Sequence, residues 1–282
     1  MSVHGPRAVG DTEVHPVALG GMLLSIEGRP PTERAVATVR AALEAGATLV
    51  DTADAYHAGA DEVGHNETLV RRAVDGVRPA PMVATKGGRV RPGDGRWLTD
   101  ASPAHLRAAA QASYERLGGV GMDLYQLHAP DPEVPYAQSL LALRDVVDEG
   151  LARQAGVSNV DAGQLELAVE VLGDRLVSVQ NQFSPTHRGT EDTLRLSEQA
   201  GLAFLAWRPL GTVRDPGSPV GAAFARTARE RGVSVPRLVL AWHLATSPAL
   251  VPLVGATRPE TAADSVAAAD LDLSAEELGR LG

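Results

Sequence analysis

A closed (β/α)8 barrel is the fold class this sequence predicts, on three observations. Short β-branched or aliphatic runs recur eight times, each followed by a polar or glycine-rich loop and then a stretch of helical period. Aromatic residues make up only 4% of a chain that is 44% hydrophobic, so the core is built from small aliphatic side chains, as alternating strands and helices allow. The length of 282 residues suits one α/β barrel, a unit that commonly takes about 250.

The strand-like runs are Pro16–Gly20, Thr48–Asp51, Met82–Thr85, Asp123–Leu127, Ala152–Val157, Val177–Gln182, Ala203–Trp207 and Leu250–Val254. Between them lie helical patterns such as Thr32–Ala45, with Thr32 as N-cap and Gly46 just past the end, and Pro103–Leu117, with Ser102 as cap. Strands that alternate with helices imply right-handed βαβ units and a parallel sheet, and eight such units suggest closure. A doubly wound open sheet satisfies the same periodicity. Two additions interrupt the repeat: a β-hairpin over Arg7–Val17 that turns at Gly10-Asp11, and an extra helix over Val235–Thr246 before the last strand. A short acidic helical segment follows Ala269, and nothing reads as a linker, so residues 1–282 are expected to form a single barrel domain.

The formal charge of −9 is spread along the chain, with no basic stripe to meet phosphates or an anionic bilayer. Neither nucleic acid nor membrane is an expected partner. The chain has no cysteine, which excludes disulfides, thiolate catalysis and thiolate metal sites and fits a reducing cytoplasm. Residues Met1 to Gly10 carry no apolar core of signal-peptide length. A cytoplasmic protein is expected, a monomer by default because nothing marks an interface.

Active-site groups of such a barrel come from the C-terminal ends of the strands and the loops after them. The second strand ends in Asp51-Thr52-Ala53-Asp54-Ala55-Tyr56, the third in Thr85-Lys86-Gly87-Gly88, the fourth in Tyr125-Gln126-Leu127-His128-Ala129-Pro130. Asp51, Tyr56, Lys86 and His128 therefore converge on one mouth. Taken singly, the Asp and Lys read as a loop ion pair, the Tyr as packing and the His as a rim histidine. In that order, on those three strand ends, they resemble the tetrad of the aldo-keto reductases, and the likeness runs from the hairpin Arg7–Gly21 to the last helix.

Chemistry gives the same four residues roles. Reducing a carbonyl needs a hydride donor and an acid for the oxygen as negative charge develops. Tyrosine, with a pKa of about 10, is a poor acid near neutrality unless a neighbouring ammonium stabilises its phenolate. Lys86 is the candidate ammonium and Asp51 its counter-charge. His128 can donate to the substrate oxygen, so the site would be a general acid for reduction and a general base for oxidation.

No glycine-rich G-x-G-x-x-G loop lies at a strand–helix junction, which argues against a dinucleotide-binding Rossmann domain. The resemblance implies instead an extended nicotinamide dinucleotide across the mouth, NADP with a mild preference over NAD. It assigns cofactor contacts to Gly21, Met22 and Asp51. Ser158, Asn159 and Gln180 would bond the carboxamide, which offers donors and acceptors alike. Trp207 stands where most relatives stack a tyrosine on the nicotinamide. Leu210 and Gly211 would cover the pyrophosphate with backbone N–H groups, beside Arg208, where relatives often have Ser. The chain departs from the pattern at the adenosine end. Gly255 or Thr261 replaces the basic residue that grips a 2′-phosphate, and Ser265 replaces an adenine-contacting Asn. Arg258 remains as the nearby cation, or as a solvated loop charge.

The loop Gly87–Thr99 should overhang the mouth, with Trp97 as an apolar substrate contact and Arg89, Arg91 and Arg96 as a bias towards polar or anionic substrates or as a solvated loop. His57, Asp61, Glu62 and His65 crowd one loop but read as exposed rather than as a metal site. No metal is expected. The short C-terminus implies an open pocket. The expected substrate is a small carbonyl or alcohol. Alternatives are an NAD+-dependent dehydrogenase of a sugar or pyridoxal-like alcohol, a nicotinamide-binding but idle regulatory subunit, and an isomerase or aldolase with Lys86 as a Schiff base.

Overall fold

The computed structural model of the chain describes residues 3–119, 122–213, 215 and 217–282. An antiparallel hairpin, β1 (Arg7–Val9) and β2 (Thr12–Val14), precedes the barrel, as the sequence predicts. The barrel strands are β3 (Ala18–Gly20), β4 (Leu49–Asp51), β5 (Met82–Gly87), β8 (Met122–Leu127), β9 (Ala152–Ser158), β10 (Leu176–Gln182), β11 (Ala203–Trp207) and β12 (Leu250–Gly255). They pair in parallel in chain order, and β12 closes on β3 through Leu253–Ala18 and Val254–Leu19. Between β5 and β8 the chain adds a two-rung ribbon, β6 (Arg89–Val90) against β7 (Leu98–Thr99).

Ten helices surround these strands among the described residues: α1 (Thr32–Glu44), α2 (His65–Val74), α3 (Pro103–Arg116), α4 (Tyr136–Asp148), α5 (Ala162–Leu172), α6 (Glu191–Ala200), α7 (Pro219–Arg231), α8 (Val235–Thr246), α9 (Pro259–Val266) and α10 (Ala275–Leu281). None is long and apolar enough to cross a membrane. Helix α8 is the extra helix before the last strand and has the bounds read from the sequence. Its buried face, Leu238 to Leu244, is apolar apart from His243, and Trp242 stacks on Phe183 with ring centroids 6.0 Å apart.

Strand ends depart from the sequence reading by one or two residues, for local reasons. Strand β3 starts at Ala18 rather than Pro16, because the Val17 N–H turns to His15 Nδ1 (3.1 Å). Strand β5 runs on past Thr85 because Lys86 and Gly87 find register partners in Gln126 and Leu127. That extension carries Lys86 to the mouth. Thr32 is not an N-cap: Pro31 occupies that position, its carbonyl accepts from Ala35 N (3.0 Å), and no side chain caps the helix. Ser102 does cap α3, accepting from His105 N, and Gly46 follows α1 with φ +111°.

The hairpin plugs the N-terminal end of the barrel. Val9 and Val14 pack with Ala18, Leu49, Met82, Leu124, Val177 and Ala203 from the first turns of the strands. This small-residue plug leaves the opposite end of the barrel as its mouth.

Candidate active site

Three strand ends bring the tetrad together. Lys86, fully buried at the end of β5, uses its ammonium as a three-way donor, to Asp51 Oδ2 (2.6 Å), the Thr52 carbonyl (2.9 Å) and Tyr56 OH (3.1 Å). Tyr56 and His128 meet edge to face, with ring centroids 5.6 Å apart. Asp51 is further held by amide donors from Gln180 (2.9 Å) and Gln126 (3.3 Å). Gln126 is a part of the site that sequence reading missed. It lies two residues before His128 on β8, hence on the same face of the strand, and that parity was the available signal.

Close approach of the backbone shapes this cluster at two glycines. Gly156 on β9 leaves room for Gln126, whose side chain a Cβ would strike, together with Ser178 Oγ. Gly21 donates its N–H to the Asp51 carbonyl (2.8 Å) and accepts from Asn66 Nδ2 (2.9 Å), and a Cβ there would collide with Asn66 Oδ1. Gly21 thereby ties the end of β3 to the end of β4. Met22 opens a 3-10 turn beside it, half-buried.

Burial and neighbouring charges shift Lys86, Tyr56, His128 and Asp54 in different directions. Burial opposes the charge on Lys86, yet Asp51 and Tyr56 together raise its pKa, so it stays an ammonium. For Tyr56, Lys86 lowers the pKa as expected, but it does not set the net direction. Burial of the phenol is the larger effect and pushes it above its ordinary value, with Lys86 pulling the other way. Burial, helped by Lys86 and Arg89, holds His128 well below the usual imidazole range, so it is neutral. Asp54, buried behind Tyr56 with Oδ1 unpartnered among the described residues, is pushed up to about 8, first by burial and then by Glu67. Near neutrality it carries a proton and does not compete with Asp51 for the ammonium.

The other residues assigned to the cofactor, beyond Gly21, Met22 and Asp51, lie at the ends of β9 to β12 and in the loops after them. Ser158 Oγ donates to the Gln180 carbonyl (2.6 Å), and Asn159, with φ +57°, donates to the His128 carbonyl (2.8 Å) and Ser158 Oγ (3.0 Å). The half-buried Trp207 ends β11, and its Nε1 is buried without a partner among the described residues. An indole donor in want of an acceptor, at the end of the strand paired with that of Gln180, fits a nicotinamide carboxamide. Arg208 is exposed with φ +48°. Leu210 is half-buried against the core, and the Gly211 N–H is donated to the Arg208 carbonyl (2.9 Å), closing the loop on itself. Arg258 is exposed just before α9, whereas Ser265 is buried and donates to the Thr261 carbonyl (2.8 Å). Its hydroxyl is thus taken up inside the helix.

Two expectations about the mouth loops fail. The segment from His57 to His65 is not simply solvated: His57 is buried with Nδ1 at the Gly59 carbonyl, Glu62 pairs with Arg29 (2.6 Å), and His65 meets Ser25 Oγ. Asp61 is exposed, as expected, and the described residues contain no cluster that would hold a metal. The arginines of the β5–α3 loop do not form a free cationic patch either. Arg91 turns inward to Glu27, Arg96 pairs with Asp94, and Arg89 donates to Thr99 Oγ1. Trp97 does reach the site, edge-on to Tyr56 (6.3 Å) and to His128 (6.2 Å).

A closed parallel barrel with a buried Lys–Asp pair, a tyrosine and a histidine at its mouth defines a class of enzyme, and comparison with known proteins places the chain within it. Residues 16–282 match the Aldo/keto reductase family, to which the chain belongs. It is 33% identical to an uncharacterized oxidoreductase of Schizosaccharomyces pombe over 98% of this chain and 89% of that one. It is 32% identical to the 6-dehydroglucose reductase of Novosphingobium aromaticivorans, over 90% and 86% of the two chains. It is 28% identical to the pyridoxine 4-dehydrogenase of Escherichia coli, over 97% and 96%. Among solved structures, an aldo/keto reductase from Klebsiella pneumoniae in complex with NADP and acetate superposes with a TM-score of 0.82 at 28% identity, covering 99% of this chain and 94% of that one.

Proposed function

We propose that this protein reduces an aldehyde or ketone to an alcohol with a reduced nicotinamide dinucleotide, NADPH with a mild preference, and that Tyr56 is the general acid. The observation that carries this reading is the direction of the Lys86–Tyr56 hydrogen bond. The ammonium donates to the phenol oxygen, which leaves the phenolic O–H to be donated to a substrate. Trp207, Ser158, Asn159 and Gln180 would hold the nicotinamide, with Gly21, Met22, Arg208, Leu210, Gly211 and Arg258 along the rest of the cofactor. When bound, the cofactor supplies the hydride.

The proton comes from the protein. His128 is neutral and therefore an orienting donor to the carbonyl oxygen rather than the acid. Tyr56 is fully protonated at neutral pH because burial holds its pKa up. As the substrate oxygen takes the proton, the phenolate left behind faces an ammonium at 3.1 Å, in a site with little water to screen the pair. Asp51 keeps that ammonium in place. The same geometry speaks against Lys86 as a Schiff-base nucleophile, since it is charged and all three of its donors are engaged.

The dehydrogenase in the name of one relative favours a second reading, in which the physiological direction is oxidation of a sugar or pyridoxal-like alcohol by NAD+, whereas the 6-dehydroglucose reductase among the relatives is named for the reducing direction. Steady-state loss of reduced-nicotinamide absorbance with a panel of aldehydes, against the reverse reaction with the matching alcohols, tests both. Turnover of at least one aldehyde is expected. No turnover in either direction, with cofactor bound, would favour the idle regulatory subunit instead.

A further inference from the structure

Trp97 lies on a loop with little of its own to hold it. The β6–β7 ribbon beneath is two pairs long, Arg89–Thr99 and Val90–Leu98, and glycines at 93 and 95 take positive φ between them. The indole is 37% exposed. A side chain so placed would sample several rotamers, yet it stands edge-on to both Tyr56 and His128, and the three rings make mutually steep walls.

The restraint comes from Arg91. Its guanidinium lies 4.6 Å from the Trp97 ring centroid, over the face of the indole. One nitrogen donates to the His57 carbonyl, next to Tyr56, and another pairs with Glu27 at 2.5 Å. Arg91 itself is 5% exposed, and its Nε has no partner among the described residues. A buried guanidinium with one nitrogen unsatisfied is costly. Barrel stability does not account for it, because the groups it joins are three mouth loops, those after β3, β4 and β5.

We propose that Arg91 is a positioning residue that sets substrate specificity: tied to Glu27 and the His57 carbonyl, it fixes the Trp97 indole as a wall beside Tyr56 and His128, selecting carbonyl compounds that carry a flat apolar ring. Arginine suits the task because its planar fork can stack on an indole and donate in two directions at once, which a lysine cannot do. The proposal rests on the carbonyl-reductase reading above. It leaves the acid chemistry to Tyr56 and makes Arg91 act only through Trp97.

Near-UV circular dichroism and kinetics of R91Q, R91K, W97A and the R91Q/W97A pair test it, with 4-nitrobenzaldehyde and propanal as probes and NADPH affinity and Tm as controls. R91Q is expected to lose the Trp97 contribution to the dichroism and to raise KM for the aromatic aldehyde by about 10-fold, the range of a stacked cation–π contact. Its kcat and its KM for propanal should hold. R91K should recover little, and the double variant should be no worse than W97A. If R91Q folds poorly, E27Q takes the charge out of the same tie from its solvent-facing side and should shift KM in the same direction by less. Independent, multiplying effects of R91Q and W97A, or an unchanged dichroism in R91Q and E27Q, would overturn the proposal. Failure of the wild type to reduce either aldehyde would count against the reductase reading, while the dichroism would still decide what Arg91 does.

Discussion

Replacing Tyr56 by Phe is expected to lower kcat for carbonyl reduction by about 10²- to 10⁴-fold, the usual contribution of a positioned general acid, while cofactor affinity stays as it was. The ring can remain, since its contacts with Trp97 and His128 are ring contacts, and only the bond from Lys86 is lost. The pH profile gives a second check. Burial raises the Tyr56 pKa, so the protonated acid persists through neutral pH, and reduction by the wild type should stay flat there and fall only above the ordinary tyrosine range of about 10. Oxidation needs the phenolate and should rise with pH over the same interval. A Y56F variant that keeps full turnover would remove Tyr56 from the mechanism and leave His128 or water as the proton source.

Lys86→Met should be costly in a different way. It removes the ammonium and leaves the Asp51 carboxylate, 3% exposed, with amide donors from Gln180 and Gln126. Breaking one side of a buried ion pair typically costs about 3–5 kcal/mol, and in a chain of this size that lowers Tm by on the order of 10 °C. Activity should fall at least as far as in Y56F, because no cation remains to receive the phenolate. Adding Asp51→Asn removes the orphaned charge, so the double variant should regain most of the stability and none of the activity. Thermal unfolding beside turnover separates the two effects. A K86M protein as stable as the wild type would mean that Asp51 and Lys86 are not the tightly coupled pair their 2.6 Å contact indicates.

Much of the barrel was legible because each strand is a β-branched or aliphatic run bounded by glycine or proline, and the hairpin and the extra helix carried their own signals at Gly10-Asp11 and over Val235–Thr246. Strand ends were less so, since the end of β5 depends on Gln126 and Leu127, about forty residues along the chain, which no local pattern reveals. The tetrad was readable from residue type at strand ends. Gln126 was passed over because a glutamine reads as an ordinary polar residue until strand parity puts it beside Asp51. Burial was the least visible quantity. It reverses the direction of the Tyr56 pKa, makes His57 an interior group rather than a loop ligand, and turns Arg91 from a free cation into the support of Trp97 through a glutamate 64 residues away.

The central claim is that the mouth of this barrel holds a nicotinamide dinucleotide beside Tyr56 and Trp207. Titration of the protein with NADPH and with NADH, followed by tryptophan fluorescence and repeated on Trp207→Phe, tests it most directly. Saturable quenching is expected with both cofactors, somewhat tighter for NADPH and largely lost in the W207F variant. Absence of saturable binding by either cofactor to the wild-type protein would contradict the account.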